Sequence, residues 1–445
     1  MRGLASQFAF LSLAEIICRI VSLAVVLELI RRTGRDGYGR IEFCFSLVHW
    51  LIFLIRDGVE LVFYRDLSRR SHPKPHIIGA YIALKIQVAM ILWAGLIVLS
   101  LAVFRTTADR LLLASFGLLL IPTSIGLDNV FRSLRRAGLI AVSLVIRTCV
   151  YATGVTLLVT NSNHLLYVPW LFFVGELSGI ALVWYVFTRE FGFPRLNARN
   201  GRRFAGPVLA QGKAILGLQL TQVAISSMDV LLIGFLDDWG QVGLYGATHR
   251  IVSAAVTFAV IFQQVLLPQL VRSWIKDRGR QKIELRRITM AALAIIVPVT
   301  IAVSLMSHTI VRMLFTEDFR NAGPLLAIGI WRVPIMAVGS IHLTALVAMH
   351  RERIGLVIMS GCLSVSLPIV ILAHAYYGLE GTSAAMVFAA TLAAIATGFA
   401  VHRKKEATPS IESNARNRAR FDSGVRSVDS PHKSMSEAMP GNRVQ

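Results

Sequence analysis

Six basic side chains interrupt stretches that are otherwise apolar enough to cross a bilayer: Arg19, Arg56, Lys85, Arg147, Arg250 and Arg332. A cation at the bilayer centre costs about 2.5–3.5 kcal/mol. A chain that keeps several of them has a use for them, and buried positive charge suits anionic cargo. Arginine in particular offers a planar fork of donors that matches phosphate oxygens two at a time. The competing explanation, residue by residue, is that a cation snorkels to the headgroup layer or pairs with a carboxylate.

Depth separates the six. Arg19 lies about 16 Å from the nearer end of its span at 1.5 Å per residue, beyond easy snorkelling. Glu15, four residues earlier, shares its helix face. Arg56 has Asp57 beside it and Glu60 four residues on. For both arginines, a structural ion pair and a cavity-lining cation held by that pair are open. Arg250 is close enough to a span end to reach the interface, so ligand and snorkelling are equally open. Lys85, Arg147 and Arg332 lie nearer their span ends and read as snorkelling or polar packing. Among intramembrane carboxylates, Asp229 is the candidate carrier of a coupling H+ or Na+, followed by Glu176 and Asp128. A hydrogen-bonded structural role is open for each. Gly175 and Gly179 have the spacing of close helix packing. Pro122, Pro169, Pro268, Pro298, Pro334 and Pro368 are candidate kinks or hinges.

The elements that must carry these residues are legible from composition. Of 445 residues 55% are hydrophobic and only 16% charged, with mean hydropathy +0.63. A soluble protein of this size carries more charge. Apolar runs of roughly 20–28 residues are long enough to cross a bilayer, and their period is not that of barrel strands. The expected fold is therefore all-α: a polytopic membrane protein of about twelve transmembrane helices. The first run, Leu4–Ile30, is too long for a signal-peptide core and contains Glu15 and Arg19, so it is expected to be retained. The net charge of +21 maps to connections between spans and to the tail, which excludes a nucleic-acid-binding surface in favour of membrane topology. Its distribution predicts cytoplasmic N- and C-termini. One segment breaks the pattern, the outer turn carrying Arg31, Arg32, Arg35 and Arg40.

Two short outer turns resemble each other, Gly34 to Gly39 and Gly240 to Gly246, each with glycines flanking a tyrosine, Tyr38 and Tyr245. Their separation implies two parallel repeats. The expected organisation is a six-helix lobe over 1–190, a basic cytoplasmic linker over 191–207, a second six-helix lobe over 208–402 and a disordered basic cytoplasmic tail over 403–445. The tail begins His402-Arg403-Lys404-Lys405, which suits the headgroups of anionic membrane lipids.

Enzymatic chemistry finds little support. The four cysteines are scattered within apolar runs, without metal-ligand spacing. The run Gly206 to Lys213 has one residue too many for a phosphate loop, and Ala214 stands where a hydroxyl should bind magnesium. No metal, cofactor or catalytic residue is expected, and the chain reads as a non-enzyme.

Several motifs in order carry a resemblance: Gly37-Tyr38-Gly39, Asp57-Gly58 and Arg65-Asp66-Leu67-Ser68, then Ser227 to Gly234, Val242 to Arg250, Leu314 to Ala322 and Tyr377 to Ala384. Together they resemble the polysaccharide biosynthesis/O-antigen flippase family of the multidrug/oligosaccharidyl-lipid/polysaccharide exporter superfamily. The chain departs from it in its unusually basic first outer turn and in lacking a leucine between Asp57 and Gly58. The resemblance implies two lobes around a central cavity. It also implies translocation of polyprenyl-pyrophosphate-linked oligosaccharide across a bacterial inner membrane, with polysaccharide polymerisation or export proteins as partners. By helix placement it points to Arg19, Arg56 and Arg250 as substrate-binding residues. Glu15, Asp57, Glu60 and Asp229 become their charge partners or the ion-coupling groups. Two alternatives stay open, an ion-coupled drug or metabolite exporter of the same superfamily and a membrane-embedded glycan-processing enzyme.

Overall fold

The computed structural model describes residues 2–59, 75–134, 136–194, 196, 198–276, 278–349 and 351–402, so Glu60 and the tail lie outside the described residues. Those residues are all-α, with no strand among them. In chain order the helices are α1 Arg2–Phe53, α2 Pro75–Val103, α3 Thr107–Gly117, α4 Leu120–Ile125, α5 Asp128–Ser133, α6 Ala137–Leu158 and α7 Tyr167–Phe191. The second half of the chain continues with α8 Ala198–Leu236, α9 Trp239–Lys276, α10 Arg278–Leu305, α11 Ser307–Leu314, α12 Gly323–Gly329, α13 Arg332–Ala348 and α14 Glu352–His402. A π-helical turn, Leu54–Val59, extends α1.

Among the described residues, nine stretches are long and apolar enough to cross a membrane. Two of them bend back on themselves, α1 at Gly34 (φ 70°) and α14 at Gly378 (φ 57°). Positive φ is strained for any residue with a Cβ, which is why glycine stands at both bends. A third interruption falls at Ser227 in α8. The proline expectation is only partly met. Pro298 and Pro368 sit inside helices without a break of helical backbone at either position. A membrane helix tolerates the lost N–H when its neighbours re-satisfy the freed carbonyl.

Each interruption frees backbone carbonyls in a region without water, and polar side chains collect them. In the break between α4 and α5, Trp184 Nε1 donates to Ile125 O at 2.9 Å, and Lys85 Nζ lies 3.5 Å from Gly126 O. At the Ser227 break the Arg332 guanidinium donates to Ser226 O. The basic first turn follows the same rule at helix ends. Arg32 donates to Thr156 O and Val159 O at the end of α6 (2.6 and 2.8 Å). Arg31 donates to Leu314 O at the end of α11 and Arg35 to Gly240 O in the second turn. Arg40 pairs at 3.0 Å with Asp109, itself in the first turn of α3 behind the Thr106 cap. Of these arginines, which broke the expected charge pattern, Arg31 and Arg32 satisfy carbonyls at the ends of neighbouring helices.

The two glycine turns meet. The most extensive contact between the halves runs along α1 and α9. A Cβ on Gly39 would overlap the Trp239 carbonyl oxygen, and one on Gly243 would overlap the Arg35 carbonyl oxygen. Around this backbone-to-backbone contact, one apolar core takes residues from both halves, including Phe43, Phe104 and Phe116 with Ile233, Val242 and Phe319. Away from the turns the cores separate: Tyr81, Phe131 and Phe187 anchor one in the first half, and Leu218, Met359 and Met386 another in the second. The halves therefore share a core around the turns and each has a further core of its own, while α8 also packs against α2 and the Leu54–Val59 turn of the first half.

Gly39→Ala and Gly243→Ala are each expected to lower the thermal stability of the purified protein, because the added carbon meets backbone. Gly138→Ala, where nothing lies within 4 Å, should leave it unchanged. Equal melting temperatures for all three variants would contradict the close approach.

Candidate functional site

Three polar clusters built on Arg250, Arg147 and Asp229 lie among the described residues, and the first of them spans the halves. Its centre is Glu42, 1% exposed, on the second leg of α1. One carboxylate oxygen, Oε2, accepts from Tyr38 OH at 2.9 Å and from Arg250 Nε at 2.8 Å, with Arg250 Nη2 also at 2.8 Å. Arg250 comes from α9, so the pair joins one half to the other. Gly246 makes room for it, since a Cβ there would stand 2.7 Å from Glu42 Cγ. The guanidinium also lies over the Phe45 ring, 4.5 Å from its centroid, a cation–π contact.

Arg250 opens onto the other two substrate-binding candidates. The positive charges of Arg250, Arg56 and Arg19 all reach His49 on α1. Arg19 in turn feels Arg56 and Arg250, which places the three cations in one electrostatic neighbourhood. Arg19, His49 and Arg56 are exposed. Neither Arg19 nor Arg56 has an ion pair among the described residues. Glu15, expected beside Arg19, acts on it electrostatically and also reaches Arg132 at 3.8 Å. The side chain of Asp57 and all of Glu60 lie outside the described residues.

The second cluster closes on itself. Arg147 on α6 holds Asp128 through Nη2 (2.8 and 3.0 Å) and Glu176 through Nη1 (3.2 Å), while its Nε meets Ser143 Oγ at 3.2 Å. The spacing of Gly175 and Gly179 has its explanation here. A Cβ on Gly179 would overlap the Arg147 side chain, and one on Gly175 would stand 2.9 Å from the Arg147 carbonyl oxygen. Close packing of α7 on α6 thus seats the arginine between two carboxylates. Arg56 acts on both Asp128 and Glu176 electrostatically.

The third cluster lies in the second half. Asp229, fully buried just after the Ser227 break, accepts from Arg332 Nη1 and Tyr245 OH, both at 2.7 Å. Its other oxygen accepts the Val230 N–H at 3.0 Å. His249 Nδ1 is 3.3 Å away, within ion-pair reach but not aligned for a hydrogen bond. Arg147 and Arg332, which read as snorkelling or polar packing, are ion-paired inside the fold. Lys85 is fully buried with its ammonium 5.2 Å from the Tyr81 ring centroid.

Sequence reasoning missed Glu42 and Tyr38, which took no place among the candidates. Their i,i+4 spacing at the start of a span was the available signal. It also could not pair Asp229 with Arg332, since 103 residues separate them.

A chain with this helix order and these motifs matches the polysaccharide biosynthesis protein family over residues 4–274. The chain belongs to that family. No curated protein sequence matches it. Solved structures share the fold of this family member at low identity. One described as lipid II flippase MurJ in an inward closed conformation has TM-score 0.70 and 14% identity, covering 94% of this chain and 91% of that one. An inward-facing multidrug resistance MATE family transporter of the MOP superfamily has TM-score 0.66 and 12% identity, covering 92% and 99%. The MATE multidrug transporter DinF-BH has TM-score 0.64 and 15% identity, covering 90% and 95%. The family member is thus a multi-pass membrane protein with a fold common to flippases and exporters.

Breaking the Asp229–Arg332 pair from one side strands a buried charge, a loss of about 3–5 kcal/mol. Arg332→Met and Asp229→Leu should each lower the unfolding midpoint sharply. The double variant should lose less than the sum of the two. Strict additivity would show that the pair is not coupled.

Proposed function

We propose that the protein is a flippase for polyprenyl-pyrophosphate-linked oligosaccharide, moving it from the cytoplasmic to the outer leaflet of a bacterial inner membrane for surface polysaccharide synthesis. One observation carries this reading: Arg19, Arg56 and Arg250 lie in one electrostatic neighbourhood, and only Arg250 is ion-paired with a carboxylate among the described residues. A cluster of two arginines without an ion pair and a third held by Glu42 is costly when empty and favourable around a pyrophosphate, whose oxygens match the guanidinium fork. The fold alone would permit cationic drug cargo. Against that cargo stands the commitment of the carboxylates Asp128, Glu176 and Asp229 to arginines.

The proposed cycle is alternating access by two lobes, 1–190 and 208–402. Support comes from the core that the halves share around the turns and the further core that each half has of its own. Basic connections at the end away from the turns favour its assignment to the cytoplasm, with both termini there. The sugar-pyrophosphate head would enter the cleft while the polyprenyl tail stays in lipid. A coupling H+ or Na+ at Asp229 would have to compete with the Arg332 and Tyr245 contacts.

The test is transfer of a fluorescent polyprenyl-pyrophosphate oligosaccharide across vesicles holding the purified protein. Arg19→Gln and Arg56→Gln should each lower the rate by about tenfold or more at unchanged protein level. Wild-type rates in both variants would sink the assignment.

A further inference from the structure

Glu42 has no role in binding cargo, yet three donor groups converge on one of its oxygens across the boundary between the halves. We propose that Glu42 is a built-in surrogate anion: it occupies Arg250 while the cleft is empty, and pyrophosphate displaces it, releasing the closure of the turn end. This rests on the cargo reading above and adds to it the residue that converts binding into opening.

The geometry supplies each part. Arg250 spends Nε and Nη2 on Glu42. Its side chain is nevertheless 27% exposed, so it can be approached from the cleft side before it releases Glu42. Glu42 itself is 1% exposed and lies in the region where the two halves share one core. If Arg250 turns toward a phosphate, Glu42 keeps Tyr38 but loses its counter-charge in a dry interior. A buried carboxylate without a counter-ion is strongly disfavoured. Parting of the turn end admits water to Glu42 and removes that penalty. Cargo thus binds the closed form under a penalty that the open form escapes, which is the differential affinity that a ligand needs to shift a conformational equilibrium.

Other charged groups near the pair do not substitute for it. Glu15 is engaged with Arg132, Glu176 and Asp128 with Arg147, and Asp229 with Arg332. Arg40 is engaged with Asp109. Glu42 is the described carboxylate that joins a substrate-binding candidate of one half to the wall of the other.

The experiment uses the full chain with Cys149→Ser and spin labels carried by Ser162→Cys and Asp318→Cys. These exposed positions line one pocket at the turn end from opposite halves. Pulsed electron paramagnetic resonance reads their separation, and calorimetry reads the affinity for inorganic pyrophosphate. Unsubstituted at Glu42, the protein should show one short distance that lengthens when pyrophosphate is added. Glu42→Gln keeps shape and an acceptor but removes the charge. It should show the longer distance without ligand, bind pyrophosphate about tenfold more tightly, and lengthen no further. Tyr38→Phe, which leaves the charge pair intact, should fall between the two. Unchanged affinity with an unchanged ligand-free distance in Glu42→Gln overturns the proposal, as does a loss of thermal stability without tighter binding. If pyrophosphate binds neither protein, the cargo reading fails instead, and the ligand-free distance in Glu42→Gln still judges the closure role.

Discussion

A backbone carbonyl without water or a helical partner is the constraint on which the rest of this molecule depends. Inside a bilayer such a group costs several kcal/mol, so every helix break and every helix end must recruit a donor. The chain recruits them from basic and indole side chains. Arg332 serves the break at Ser227, and Trp184 and Lys85 serve the one between α4 and α5. Arg31, Arg32 and Arg35 serve the ends of helices around the first turn, and Arg110 Nε does the same for Phe104 O. Much of the positive charge that looks functional in the sequence is therefore architectural.

What is left after this subtraction is small and differently placed. Arg19 and Arg56 are exposed and without an ion pair among the described residues, and Arg250 is held by Glu42 while its side chain stays 27% exposed. The two carboxylates held by Arg147 feel the charge of Arg56.

The fold was legible because its cause is local. Apolar run length and the lack of a two-residue period determine a helical membrane protein almost without reference to tertiary contacts. The kinship of the Gly34 and Gly240 turns was also readable, since small residues and a tyrosine mark both. Their mutual contact was not, because a glycine that admits another backbone looks identical to a glycine that only turns. The same limit applied to the site. Depth along a helix pointed to Arg19 and Arg56. The partners of Arg250 and Arg332 lie 208 and 103 residues away, and no spacing rule reaches that far. The proline reading met a mixed outcome, since Pro298 and Pro368 sit in unbroken helix while Pro122 and Pro334 lie beside helix interruptions.

The contact between Gly39 and Gly243 sits very close to one end of long, stiff rods. From Gly243 to the end of α9 at Lys276 is about 50 Å at 1.5 Å per residue. A pivot of about 10° at that point would sweep the far tip through about 9 Å. Two glycines touching backbone to backbone have no side chains to shear, so they can roll while staying in register. The geometry would give such a pivot the leverage of a pair of tongs with the fulcrum near the tips: a movement barely larger than an atom at the glycines would be magnified several-fold at the far end of the helix.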